Sequence, residues 1–242
     1  MILVQSSKRL LPHAARNRGV ERSHGDLLVF TDPDCVPART WLERLVAAIE
    51  SGHTVVQGSM GLGTRSGWLE RAIHVCKWHA LLPGLPSGPL RQVASGNACY
   101  SRSVWQEVGP FEGDLFCGDA LLSWRARDAG NTLWFEPRAV VDQIHAGNLV
   151  RYLRERFSRG REYGLARAGY ERFSRPRAAL RSAALPVLLA VVLARQASAS
   201  LRAGWFRTYL TTLPIGVAGL AAWSLGEARG YAANAKRGVA AA

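Results

Sequence analysis

The 242-residue sequence predicts an α/β layer fold over residues 1–147, a mixed sheet flanked by helices, followed by a basic amphipathic helix and apolar helices. Three observations predict it. Short apolar runs alternate with amphipathic stretches as far as His145. Ten Arg against three Glu then crowd into residues 148–181. Two uncharged runs follow, 13 residues from Ser182 to Ala194 and 19 from Thr208 to Gly226. At 48% hydrophobic and 20% charged residues, the chain is too apolar to be a disordered polymer and long enough to bury a core.

The elements follow in order. Met1 to Val4 is apolar, but the polar residues after it leave a run far too short for a signal peptide, so no secretion is expected. Asp26 to Asp32 (DLLVFTD) predicts a buried strand. Pro37 is placed as a first helical residue ahead of Trp41, Leu42, Leu45, Val46 and Ile49, which share one helix face ending near Gly52. Thr54 to Gln57 predicts a strand, Trp68 to Leu82 a helix, and Pro83 to Pro89 a loop in which no regular element persists. Gln92 to Tyr100 is strand-like, and Ser103 to Val108 is a short helix stopped by Gly109 and Pro110. Gly118 to Ala129 is a helix closed by Gly130, with strands at Thr132 to Phe135 and Ala139 to Ile144.

From Asn148 the character changes. Leu149, Tyr152, Leu153 and Phe157 form an apolar stripe against Arg151, Arg154, Arg156, Arg159 and Arg161, the pattern of a helix lying on an anionic membrane surface. The 19-residue apolar run is just long enough to span a bilayer and the 13-residue run is not, so both also read as core helices. As a pair joined by Arg195 to Arg207 they predict a membrane hairpin over 182–226, with 227–242 as a tail.

The net charge of +13 points to an anionic partner. A basic stretch abutting apolar segments favours an anionic membrane surface over nucleic acid, and no helix-turn-helix, zinc-finger or aromatic RNA-binding pattern is present. The four cysteines are scattered without a C-x-x-C pair, which predicts reduced thiols and neither a zinc site nor a disulfide framework.

Asp32-Pro33-Asp34 lies where an apolar strand runs out into a loop, the place where α/β folds put their ligands. Two carboxylates one residue apart can offer hard oxygens to Mg²⁺ or Mn²⁺, or can form a solvated turn. Asp119 opens a helix and is either a general base or a helix cap. Asn97, beside Gly96, either meets a sugar hydroxyl or is satisfied by nearby backbone. His145 reads as a structural histidine at a strand end rather than a ligand.

In order along the chain, Ala14-Ala15-Arg16-Asn17-Arg18-Gly19, Gly25-Asp26 through Asp32-Pro33-Asp34 to Trp41-Leu42, Ser95-Gly96-Asn97, Val108-Gly109-Pro110-Phe111, Gly118-Asp119-Ala120-Leu121 to Trp124-Arg125, and Phe135-Glu136-Pro137 resemble a family 2 glycosyltransferase of the GT-A fold. The resemblance implies a GT-A (Rossmann-like) sheet and transfer of a sugar, with inversion, from a nucleotide-diphosphate sugar donor to an acceptor hydroxyl. It implies that Asp32 and Asp34 hold a Mg²⁺ or Mn²⁺ and the diphosphate, that Asp119 is the catalytic base, and that Arg16, Asn17, Asp32, Gly96 and Asn97 contact substrate. A lipid-linked or glycan acceptor and the cytoplasmic side of the cytoplasmic membrane are expected with it.

Three features depart from the family pattern. Gly118 stands where an acidic residue usually precedes the base. No Gln-x-x-Arg-Trp motif occurs in Leu149 to Gly160, so a single, nonprocessive transfer is expected. Met1 to Ser7 resembles a later strand of the nucleotide-gripping subdomain, so its opening strand and helix are expected to be absent. That expectation carries two more: an exposed sheet edge, and donor binding that is weak or lost, as in a noncatalytic membrane-associated remnant.

Overall fold

The computed structural model describes residues 2–64 and 66–240, with side chains through Asn234. The chain begins with α1 (Pro12–Glu21), β1 (Leu27–Thr31), β2 (Cys35–Pro37), α2 (Trp41–Glu50), β3 (Val55–Leu62) and α3 (Trp68–Trp78). It continues through β4 (Gly88–Leu90), β5 (Asn97–Ser101), α4 (Arg102–Val108), α5 (Gly118–Asp128) and β6 (Leu133–Gln143). The helices α6 (Leu149–Tyr170), α7 (Arg175–Ala183), α8 (Leu185–Arg202) and α9 (Phe206–Ala240) follow. Two compact units result, residues 1–61 with 86–143 and residues 62–85 with 144–242.

The first unit is a mixed α/β layer. Its sheet runs β1-β5-β3-β6-β2, with β4 also on β6. Both faces are covered, which is why β1 is apolar at every position from Leu27 to Phe30. Leu28 and Phe30 join Tyr100, Val104, Trp105, Phe111 and Leu122 in one core, while Leu27 and Val29 pack with Leu45, Ala48, Val56 and Ala139 in another. Phe30, Trp105 and Phe111 form a ring cluster with centroids 5.0–5.5 Å apart. The antiparallel register sets Thr31 opposite Asn97, so the residue that ends β1 meets the residue that begins β5.

The second unit is helical. Gly160 and Gly164 of α6 press on the backbone of Trp223 and Glu227, and Gly226 and Gly230 of α9 press on Phe157 and Arg161. A methyl group at any of these four positions would meet backbone, so the two helices pack at a distance only glycine permits. Tyr152 is buried and Leu153 half-buried against Ile73, Cys76 and Leu220. Part of the stripe expected to lie on a membrane is therefore spent on helix packing, because α3 and α9 cover it; Leu149 and Phe157 remain 37% and 38% exposed.

Several boundaries differ from expectation. Residues 2–10 form no strand, since no neighbouring strand pairs them among the described residues, and Ile2 and Leu3 lie exposed. Met1 lies outside the described residues. Pro37 closes β2 opposite Val141 instead of opening a helix, an edge position that tolerates its missing N–H. Only Asn97 onward of the Gln92 to Tyr100 segment is strand, because Ala94 N is bonded to the Gln57 side chain. The two strands expected around Pro137 are one, and Gly88–Leu90 pairs with it inside the expected loop. The second unit also takes residues 62–85, and α9 runs on into the expected tail as far as Ala240.

Candidate active site

Every residue proposed from the sequence as a ligand or base lies in the first unit. After β1 the chain turns tightly, Cys35 N donating to the Asp32 carbonyl at 3.1 Å. The turn brings one ligand atom each of Asp32, Asp34 and Cys35 within 4.8 Å of one another. Gln143 Nε2, at the end of β6, donates to Asp34 Oδ2 at 3.1 Å, and Arg16 from α1 is ion-paired with Asp32 Oδ1. Burial, with the Asp34 and Asp32 carboxylates beside it, pushes the Cys35 thiol up to about 12. Two carboxylates on one turn are a donor set suited to a hard divalent cation.

Gly96 lies against this turn. A Cβ there would stand 2.8 Å from Asp32 Oδ2, so glycine is what lets the strand-end carboxylate approach the backbone. The adjacent residue reaches the other carboxylate, since Ser95 N donates to Asp119 Oδ2 at 3.3 Å. Asp32 and Asp119 thus meet neighbouring residues of one segment. Asp119 lies in the first turn of α5, where its Oδ1 accepts from Ala120 N at 2.9 Å. Cys117, not Asp119, holds the N-cap position, so the cap reading fails; the Asp119 carboxylate instead faces the positive end of the helix dipole with 19% of its side chain exposed.

The remaining predicted residues are placed differently. Asn97 has no exposed surface. Its Oδ1 accepts from Trp41 Nε1 at 2.7 Å, and its Nδ2 donates to the carbonyls of Ser59 at 2.8 Å and Ala139 at 2.9 Å. Both donors are spent on the sheet, so the amide is satisfied by the protein rather than turned toward a sugar. Asn17 clamps Phe111 through both backbone groups, at 2.9 and 3.1 Å, and in this way anchors α1. His145 pairs with His74 at 3.1 Å within the second unit, a structural arrangement.

Supporting residues escaped the sequence reading. Gln57 is fully buried, donates to the Gly58 and Asn97 carbonyls at 2.8 Å each, and accepts from Ala94 N at 2.6 Å. Ser123 Oγ donates to the Asp119 carbonyl at 2.7 Å and accepts from Val93 N at 3.0 Å. Together they suspend residues 93–97 between β3 and α5. His13 was also missed. Its only sequence signal is its place one turn before Arg16 in a helix, and nothing local shows where its ring points.

Residues 1–108 match the glycosyl transferase family 2 model, a segment that contains Asp32, Asp34 and Asn97 and stops short of Asp119. Glycosyltransferase AglE of Haloferax volcanii is 35% identical over 126 residues, covering 51% of this chain and 41% of that protein. Pre-mycofactocin glycosyltransferase of Mycobacterium tuberculosis is 29% identical over 160 residues, covering 57% and 31%. The chain spans less than half the length of these two relatives. Among solved structures, the mannosyltransferase PcManGT of Pyrobaculum calidifontis, in complex with GDP-Man and Mn²⁺, matches with a TM-score of 0.48 and 19% identity, over 90% of this chain and 69% of that one. Over residues 1–108, the chain is therefore similar to glycosyl transferase family 2.

Proposed function

We propose that this protein transfers a sugar, with inversion and one unit at a time, from a nucleotide-diphosphate donor to an acceptor hydroxyl. The observation that carries the reading is the meeting of Asp32 with Gly96 and of Asp119 with Ser95 on one segment. Asp32 and Asp34 would hold a Mg²⁺ or Mn²⁺, which neutralises charge on a departing diphosphate. Asp119, oriented by two backbone N–H groups, accepts the acceptor's proton. Asn97 and Asn17 enter this reading as residues that fix the frame, and Arg16 as a cation beside Asp32.

The same proposal places α8 and α9 in the cytoplasmic membrane, with a lipid-linked or glycan acceptor at its surface. Leu185–Arg202 and Phe206–Asn234 are long and apolar enough to cross a bilayer, and only 17% and 33% of their most apolar stretches are buried. Val187, Leu201, Leu210 and Leu225 are 51–66% exposed. The excess of Arg in residues 148–181 suits anionic headgroups.

Calorimetric titration with GDP and with UDP in Mn²⁺ tests the donor site. If the proposal holds, metal-dependent micromolar binding that Asp34→Asn lowers about 100-fold replaces the weak or lost binding expected from the sequence, and Asp119→Asn keeps binding while losing donor turnover. Absence of binding to either nucleotide leaves the fold as a noncatalytic relative. For the membrane, vesicles containing phosphatidylglycerol should take the protein from solution, and recovery in a carbonate-washed supernatant would refute embedding.

A further inference from the structure

His13 is 3% exposed on α1 and touches the base region from a distance of about a hundred residues in sequence. Its Nε2 lies 3.1 Å from the Phe116 carbonyl oxygen and 3.9 Å from Asp119 Oδ1, and its Nδ1 lies 3.5 Å from Arg16 Nη1. A carbonyl only accepts and a guanidinium only donates, so one state serves both contacts: a neutral ring with its proton on Nε2. Burial lowers the pKa of His13, outweighing the opposing pull of Asp119, and Arg16 adds to the lowering.

The ring also dictates the residue before Asp119. A Cβ at Gly118 would stand 2.9 Å from His13 Cδ2 and 2.7 Å from the Glu112 carbonyl oxygen. Glycine leaves room there for both the Glu112 carbonyl and the imidazole, which also packs on Phe111 at 4.8 Å between centroids. Through Arg16, whose guanidinium is paired with Asp32, the same line of side chains continues to the metal-binding turn.

We propose that His13 is a positioning residue for Asp119: its Nε2–H fixes the Phe116 carbonyl just ahead of α5 and turns an N–H dipole, not a cation, toward the Asp119 carboxylate. Asp119 is thereby oriented without a counter-ion set on it, and Arg16 fixes Asp32 from the other side of the same ring. The charged groups facing His13 are Asp119, Arg16 and Asp32. The inference rests on Asp119 being the base, as proposed above.

The test uses the full chain in detergent, with GDP-mannose and UDP-glucose plus Mn²⁺ as probes and nucleoside diphosphate release as the readout. His13→Leu is expected to lower kcat about 10- to 100-fold, the scale of a displaced reacting group, with donor KM within twofold. His13→Gln, whose amide N–H reaches a similar place, should recover most of that loss. Imidazole ¹⁵N spectra should show His13 as the neutral Nε2–H tautomer, and Asp119→Asn should shift that resonance; these spectra need no donor. An Nδ1–H or doubly protonated His13, or a His13→Leu enzyme with kcat within twofold of the parent, overturns the proposal. Should Asp119→Asn keep full turnover, the assignment of the base fails instead, a result read separately from the His13 spectra.

Discussion

Replacing Asn97 with alanine separates a sugar-binding role from a framework role. The substitution strips Trp41 Nε1 on α2 of its acceptor, and the Ser59 and Ala139 carbonyls of the sheet of a shared donor. No water replaces them easily, because Asn97 has no exposed surface and its amide lies across Gly58, where even a methyl group would collide with it. An orphaned buried donor costs about 1–3 kcal/mol, and carbonyls with a second lone pair cost less, so the loss is roughly 3–5 kcal/mol in all. For a chain of this size that is a fall in Tm of about 6–20 °C. Differential scanning fluorimetry in detergent reads it directly, alongside donor KM measured below the new Tm. A variant with Tm within 2 °C of the parent and a tenfold higher KM would refute the framework role and return Asn97 to the sugar.

Gln143→Leu removes the donor to Asp34 Oδ2, and Mn²⁺ affinity by calorimetry should fall about tenfold, as it does when groups behind metal ligands are lost. Gly160→Leu forces α6 off the Trp223 backbone and should cost about 2 kcal/mol or more, seen as a lower Tm in detergent with nucleotide binding intact. Acid should destabilise the protein through His79 and His145, which burial lowers to about 4 and about 3. Below the ordinary histidine value the unfolded chain takes up protons that the folded rings refuse. Stability is therefore complete above about pH 6.5 and falls between there and pH 4, by about 1.4 kcal/mol per pH unit for each group. His79→Gln should flatten that fall in a Tm-versus-pH series.

Local pattern carried much of the architecture. β1 was legible because the apolar run Leu27 to Phe30, ending at the acidic turn, suits a short strand covered on both faces, and α5 because Gly118 and Gly130 bracket a helical stretch. Strand ends near Pro137 and Pro37 were not legible, because pairing with distant partners, Leu90 and Val141 among them, overrode what proline suggests locally.

By itself the sequence determined the order of layers and the acidic turn Asp32-Pro33-Asp34, since both depend on neighbours along the chain. It also marked Asp119 and the apolar helices for the same reason. Tertiary structure alone decided what Asn97, Asn17 and His13 do. A side chain's partner is chosen by which backbone or ring the fold brings within about 3 Å, and those partners lie 38 to 103 residues away.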